Sequence, residues 1–225
     1  MEEKRGKMKA KSIVITHSKG GVGKSTTTYQ AAGYLHKKGY NYLVIDTDIA
    51  NRTISTINNH IRNEDKLNIE FILSFQILID FIRKAKEKYD YIIIDTGGNM
   101  DIITQEAIKL ADKIITPLSH DAVTEIVGFT RFKSVLKKLS NPEVHATFCN
   151  IHTRAKDFST MTKQLQKYPN MKIMKSGLRN RALYKTSLQK GLSVAELKTT
   201  KNKLYNKNLI KAQEELETFV KEILK

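Results

Sequence analysis

Cysteine is nearly absent from this chain of 225 residues. The single thiol, Cys149, excludes an internal disulfide, a Cys-x-x-Cys redox pair and a cysteine-built zinc or iron-sulfur site, which fits a reducing cytoplasm. Proline is scarce too: there are three, and none marks a linker. No window approaches the ~18 uninterrupted apolar residues that cross a bilayer. The charged stretch from Met1 to Lys11 lacks the apolar segment of a secretory signal. These absences predict a flexible basic tail over residues 1–11 and one globular domain over residues 12–225, neither exported by that route nor integral to a membrane. The six histidines, at 17, 36, 60, 120, 145 and 152, include no His-x-x-x-His pair, so they do not read as metal ligands.

Acidic residues are also in short supply. Twenty-three Asp and Glu face thirty-nine Lys and Arg, a formal charge of +16, and such an imbalance points to a polyanionic partner, nucleic acid before anionic membrane. The excess is concentrated. From His152 to Lys211 there are fifteen basic residues and two acids, Asp157 and Glu196, a net of +13. Hydrophobic content of 40% with 28% charged residues belongs to a folded, soluble chain.

Short apolar runs alternate with helical patterns: Ile13-Val-Ile15, Tyr42 to Ile45, Tyr91 to Ile94, Ile114-Ile115, Val144 to Cys149 and Ile173-Met174. The second and third are apolar at every position, so both faces of those strands are covered, as in a doubly wound, mostly parallel α/β sheet with helices on both faces. Ile77, Leu78, Phe81, Ile82 and Ala85 share one helical face, as do Phe129, Phe132, Val135, Leu136 and Leu139. A last helix, about 209–224, aligns Leu209, Ala212, Leu216, Phe219, Val220 and Ile223 and closes the domain. Residues 51–70 are the least patterned stretch.

The strongest motif is Ser18-Lys-Gly-Gly-Val-Gly-Lys-Ser-Thr26, directly after the first strand and before a helix. Gly20, Gly21, Val22 and Gly23 let backbone N–H groups turn around phosphate oxygens, with the helix N-terminus behind them. Lys24 then reaches the β and γ phosphates, Ser25 is placed for Mg²⁺, and Thr26 lines the same cradle. Ser18 stands where the general phosphate loop has its first glycine. Carboxylates close two strands, in Val44-Ile-Asp46-Thr-Asp48 and in Ile93-Ile-Asp95-Thr-Gly-Gly98, at the sheet edge where open α/β folds bind ligands. Aspartates there are also common as helix caps. Asn-Lys-x-Asp, the usual guanine reader, is missing, so ATP is the expected nucleotide. His17 adjoins the loop and reads as a neutral loop histidine rather than a nucleotide contact.

Lys19-Gly-Gly-Val-Gly-Lys24-Ser25 resembles the deviant Walker A motif of the ParA/MinD family of P-loop ATPases. The likeness runs from Ser12 to about Leu224 and is nearest the small ParF-like plasmid-partition proteins, whose C-terminal region Leu178-Arg-Asn-Arg-Ala-Leu-Tyr184 and Gly191-Leu-Ser-Val194 resemble. It implies slow, partner-stimulated ATP hydrolysis. Lys19 would contact nucleotide across a homodimer, Asp46 and Asp95 would hold waters on Mg²⁺ with Ser25, and Asp48 would position the attacking water. Asn150 would meet adenine, though a turn residue there is an equal reading. Two loops depart from the family: Ile49-Ala50 replaces Pro-Gln after Asp48, and Gly97-Gly98 replaces Pro-Pro after Asp95.

The implied function is a cytoplasmic, nucleoid-associated DNA-segregation ATPase that dimerises with ATP, binds DNA without sequence preference and is reset by a small centromere-binding partner of the ParB or ParG kind. Arg179, Arg181, Lys185, Lys198, Lys201 and Lys203 are the candidate DNA contacts, against a merely solvated basic face. A MinD-like membrane regulator is a second reading, opposed by Glu214, Glu215, Glu217 and Glu222 on the polar face of the last helix, which anionic lipid would repel. A metabolic ATP-dependent enzyme is the third.

Overall fold

In the computed structural model, residues 10–119, 122–152 and 159–225 are described. Residues 1–9 of the expected tail lie outside them, as do Arg154, Lys156 and Asp157 of the basic segment. Lys11, assigned to the tail, instead opens the first strand.

Seven parallel strands form one sheet: β1 (Lys11–Ile15), β2 (Tyr42–Asp46), β3 (Ile69–Phe71), β4 (Tyr91–Asp95), β5 (Lys113–Leu118), β6 (Val144–Phe148) and β7 (Met171–Ile173). Their order is β3-β2-β4-β1-β5-β6-β7, with β1 hydrogen-bonded to β4 on one side and β5 on the other. The helices are α1 (Lys24–Lys37), α2 (Thr53–Thr56), α3 (Phe75–Ala85), α4 (Ile102–Leu110), α5 (Ala122–Lys138), α6 (Ser159–Leu165), α7 (Ala182–Gln189) and α8 (Lys203–Ile223).

The uninterrupted apolar strands are explained by two cores, one on each face of the sheet. Ile13, Ile15, Val44, Ile93 and Ile115 point to one, which α1, α7 and α8 complete with Tyr29, Leu35, Tyr184, Leu216 and Phe219. Val14, Leu43, Ile45, Ile92, Ile94 and Ile114 point to the other, filled by Leu78, Ile82, Ala107 and Phe132. Side chains alternate along a strand, so a strand buried on both sides is apolar throughout. All six residues of the α8 stripe are buried.

Three expectations are corrected. Six strands were expected and the seventh, β3, lies in the unpatterned stretch; it is three residues long with Glu70 exposed, too short to show a period. Ile77 is 58% exposed although it follows the apolar pattern of α3, whose inward side carries Leu78, Ile82 and Ala85. On α8, Glu215 and Glu222 are only partly exposed and are engaged by the fold. Glu222 accepts hydrogen bonds from the N–H groups of Lys175 (2.9 Å) and Ser176 (2.8 Å), while Glu215 accepts from the N–H of Arg179 (2.7 Å).

Candidate nucleotide site

β1 lies where the strand order changes direction, and ligands of such sheets bind at the carboxyl ends of the strands flanking that point. The loop after β1 leads into α1 there. Gly21 (φ +76) and Gly23 (φ +101) hold left-handed backbone conformations that side chains oppose, so the loop curls as a cradle only with glycine at both positions. Among the described residues, the N–H groups of Gly20, Gly21, Val22, Gly23, Ser25 and Thr26 donate to no protein acceptor. A ring of such donors before a helix N-terminus is an anion site. Lys24 is only 6% exposed and its ammonium donates to the carbonyl of Lys19 across the loop, 2.9 Å.

His17 shapes the entry to this loop. Its buried ring stacks on Phe132, centroids 5.6 Å apart, and Nδ1 accepts from the N–H of Lys19 at 3.0 Å. Burial first, then the charges of Lys24 and Lys19, push its pKa down to about 3, so it stays a neutral acceptor. The sequence reading of a neutral histidine agrees; its part in turning the chain at Lys19 was not foreseen.

The carboxylates converge on the cradle because β2 and β4 pair in register, Asp46 beside Asp95. Both are fully buried. Asp95 Oδ1 accepts from the Thr28 hydroxyl at 2.9 Å, and Oδ2 has no hydrogen-bond partner among the described residues. Burial, reinforced by the neighbouring Asp46 charge, holds the Asp95 carboxyl well above its ordinary pKa; Ser25, Thr28 and Lys24 act the other way. Burial likewise raises Asp46, whose Oδ2 accepts from the Ser55 hydroxyl (2.6 Å) and N–H (3.1 Å) and whose Oδ1 accepts from the N–H of Asp48 (3.0 Å).

An unpartnered, buried carboxylate oxygen beside a second carboxylate and the Ser25 hydroxyl fits a hydrated divalent cation. Among the described residues no group of three or more His, Cys, Asp or Glu could hold a metal by itself. A cation here would therefore share its shell with phosphate oxygens and water. Asp48 closes its own loop: Oδ1 accepts from the N–H groups of Ala50 and Asn51, each 3.1 Å, and Oδ2 from the Asn51 amide at 3.0 Å. Thr28, Asn51 and Ser55 were missed in the sequence, since a lone hydroxyl or amide outside a motif carries no spacing signal.

A cleft of about 240 Å³ opens beside the cradle, lined by Gly21, Gly23, Thr26, Cys149, Asn150 and the 178–181 segment. Asn150 is exposed at its rim in a left-handed conformation, φ 55, its N–H given to the carbonyl of Leu178. The six basic candidates do not share one surface. Arg179, Arg181 and Lys185 line this cleft, whereas Lys198 lines a separate hollow with His36, Lys37 and Arg62. Arg181 is engaged from within the molecule, its guanidinium 2.8 Å from Glu215. Lys201 and Lys203 are exposed where α8 begins.

Residues 11–166 match the family model of ATPase MipZ. The flagellum site-determining protein YlxH of Helicobacter pylori is 28% identical over 55% of this chain and 54% of its own length. The chain spans about half the length of the curated relatives it matches. Among solved structures, the MinC:MinD cell division protein complex of Aquifex aeolicus superposes over 96% of both chains with a TM-score of 0.74 at 20% identity. A Borrelia burgdorferi protein described as a plasmid partition protein, bound to AMPPNP, covers 95% of this chain and 100% of its own at a TM-score of 0.60 and 21% identity. The fold is theirs. With a family model matched over well more than half of its length, and with the cradle, the lysine and the carboxylate pair assembled at one sheet edge, the chain belongs to the MipZ family of ParA/MinD-type ATPases.

Proposed function

We propose that the chain is a DNA-segregation ATPase that binds ATP with Mg²⁺, pairs with a second copy, holds DNA without reading its sequence, and is reset when a small centromere-binding protein stimulates hydrolysis. The observation that carries this reading is the donor cradle with a paired, buried carboxylate edge, in a chain whose net charge of +16 favours a polyanion. Its site of action is the cytoplasm, on the nucleoid.

The loop N–H groups and Lys24 take the β and γ phosphates, and Lys24 leaves the Lys19 carbonyl to do so. Ser25 and, through water, Asp95 with its unpartnered oxygen and Asp46 beside it are the residues that would hold a divalent cation. A cation held there would supply neutralisation of charge on the phosphates. Asp48 positions the attacking water, Lys19 reaches the nucleotide of the second copy, and Asn150 lies where the base would rest. A positioning role at a membrane surface, as a MinD-like regulator, gains support from one observation: two of the four glutamates expected to repel lipid are bound to backbone N–H groups of the fold.

Binding to unrelated duplexes with ATP and with ADP separates these readings. Tight binding with ATP alone, lost in Lys19→Ala while the monomer still takes nucleotide, is the expected result. Duplex affinity indifferent to nucleotide, with binding to anionic vesicles instead, would move the assignment to the membrane.

A further inference from the structure

The last helix reaches the nucleotide cleft through one side chain. Most of α8 meets the rest of the molecule with its apolar stripe, but Glu215 lies beside that stripe and aims a mostly buried carboxylate at the 178–184 segment. Four donors converge on it. Oε1 accepts from the N–H of Arg179 at 2.7 Å and from the Tyr184 hydroxyl at 3.0 Å, while Oε2 accepts from Nε–H and Nη2–H of Arg181 at 3.1 and 2.8 Å. All three donor residues line the cleft beside the cradle.

The wall that these residues form is anchored on both sides. At the β6 side the N–H of Asn150 donates to the carbonyl of Leu178 at 2.8 Å, the N–H of Asn180 donates to the carbonyl of Ile151 at 2.7 Å, and Ile151 pairs with Arg179 as an isolated parallel bridge. At the other side stands Glu215. The Tyr184 hydroxyl also lies 3.1 Å from the carbonyl of Ala212, and burial first, then the Glu215 charge, raise its pKa so that it stays a neutral donor. Docking α8 does not require this carboxylate. The apolar stripe already buries the helix, and a buried ion pair is weak evidence for stability, because desolvation offsets much of the attraction. What the carboxylate supplies is geometry, since each donor fixes a direction as well as a distance.

We propose that Glu215 is a positioning residue for the nucleoside half of the site: by holding Arg179, Arg181 and Tyr184 it fixes the wall against which base and ribose rest, while the cradle binds the phosphates without it. A wall displaced by a fraction of an ångström loses its contacts with a bound nucleoside. The inference rests on the proposed reading that the phosphates lie in the cradle and the base in the cleft, and it makes the C-terminal helix part of nucleotide recognition.

The test separates the two halves of the site. Calorimetric affinities in the presence of Mg²⁺ are measured for ADP and for inorganic pyrophosphate, which can fill only the cradle, in the parent, in Glu215→Gln and in Ile223→Ala. Glu215→Gln keeps the shape of the side chain, but it leaves the Arg181 guanidinium without its counter-charge and offers one acceptor oxygen in place of two. Its ADP affinity falls roughly tenfold or more, and its pyrophosphate affinity stays parental. Ile223→Ala opens a cavity at the far end of the same helix, outside the cleft. It lowers the melting temperature and leaves both affinities parental, which distinguishes positioning from stability. A parental ADP affinity in Glu215→Gln, an equal loss of ADP and pyrophosphate affinity there, as unfolding would also give, or the same loss of ADP affinity in Ile223→Ala would each overturn the proposal. If the parent binds pyrophosphate as tightly as ADP, the cleft takes no nucleoside, and the inference fails while the cradle stands. A parent that binds neither removes the proposed function itself, and this inference with it.

Discussion

Asp95 carries the sharpest consequence at the scale of single residues. A carboxyl whose pKa is raised by folding holds its proton more tightly in the native state than in the unfolded one. Unfolding then releases protons, and stability falls as pH rises from the ordinary carboxylate value near ~4 through the raised one. In ligand-free protein, Asp95→Asn should therefore be more stable than the parent at about pH 8, with the difference closing toward about pH 4, as read by denaturant titration. The same substitution should weaken Mg²⁺-dependent ATP binding, since it takes the negative charge from a buried carboxylate with an oxygen that has no hydrogen-bond partner among the described residues. Parallel stability profiles would show that the pair is not strained. Asp48 is different, because its oxygens already serve Ala50 and Asn51. Asp48→Ala is expected to bind ATP, to lower turnover roughly a hundredfold or more, and to accumulate an ATP dimer in size-exclusion. Unimpaired hydrolysis would reduce Asp48 to a loop cap. The loop and its carboxylates were legible in the sequence because glycine spacing and strand-ending acids express backbone geometry directly. The hydroxyls that tune them, Thr28 and Ser55, were not, because their roles arise only when separate elements meet at the sheet edge.

Between elements, the connection from β2 to β3 was the part least readable and proves to be tied to distant segments. After α2 the helix widens into a π-turn over Ile57–Ile61, ending at Arg62. Arg62 donates to the carbonyl of Gly191 (3.0 Å) as well as to Glu196, and Tyr29 of α1 donates to that same carbonyl (2.9 Å). Its side chain is 1% exposed and that of Glu196 11%, a buried ion pair with hydrogen bonds satisfied on both sides. Residues that meet only in the fold leave no periodic trace, which is why this stretch looked unpatterned. Arg62→Ala strands a buried carboxylate and should cost about 3–5 kcal/mol; Arg62→Met with Glu196→Leu should cost far less. Chemical denaturation of the two variants checks the difference. Equal losses would mean that packing, not charge, holds α2 against the 191–196 segment. By contrast the stripe of α8 was read from the sequence residue for residue, since burial against one face repeats with the helical period.

For the molecule as a whole, fold and charge divide the labour. The topology brings the cradle, Asp46 and Asp95 to one edge of the sheet, while most of the positive excess lies in the C-terminal third, between His152 and Lys211. The fold class was legible because buried parallel strands and intervening helices impose opposite periodicities. The charge surface was only half legible, because which glutamates remain in solvent is settled by tertiary contacts. Linking the two ends is the nucleotide, and the proposed switch depends on its binding in the cradle. The most direct measurement is calorimetric titration of the parent and of Lys24→Ala with Mg-ATP. Lys24 is the one loop cation placed for the β and γ phosphates, so the account predicts saturable binding by the parent and none by the variant, with the variant still folded as read by its thermal melt. Equal affinity in the two proteins would contradict it.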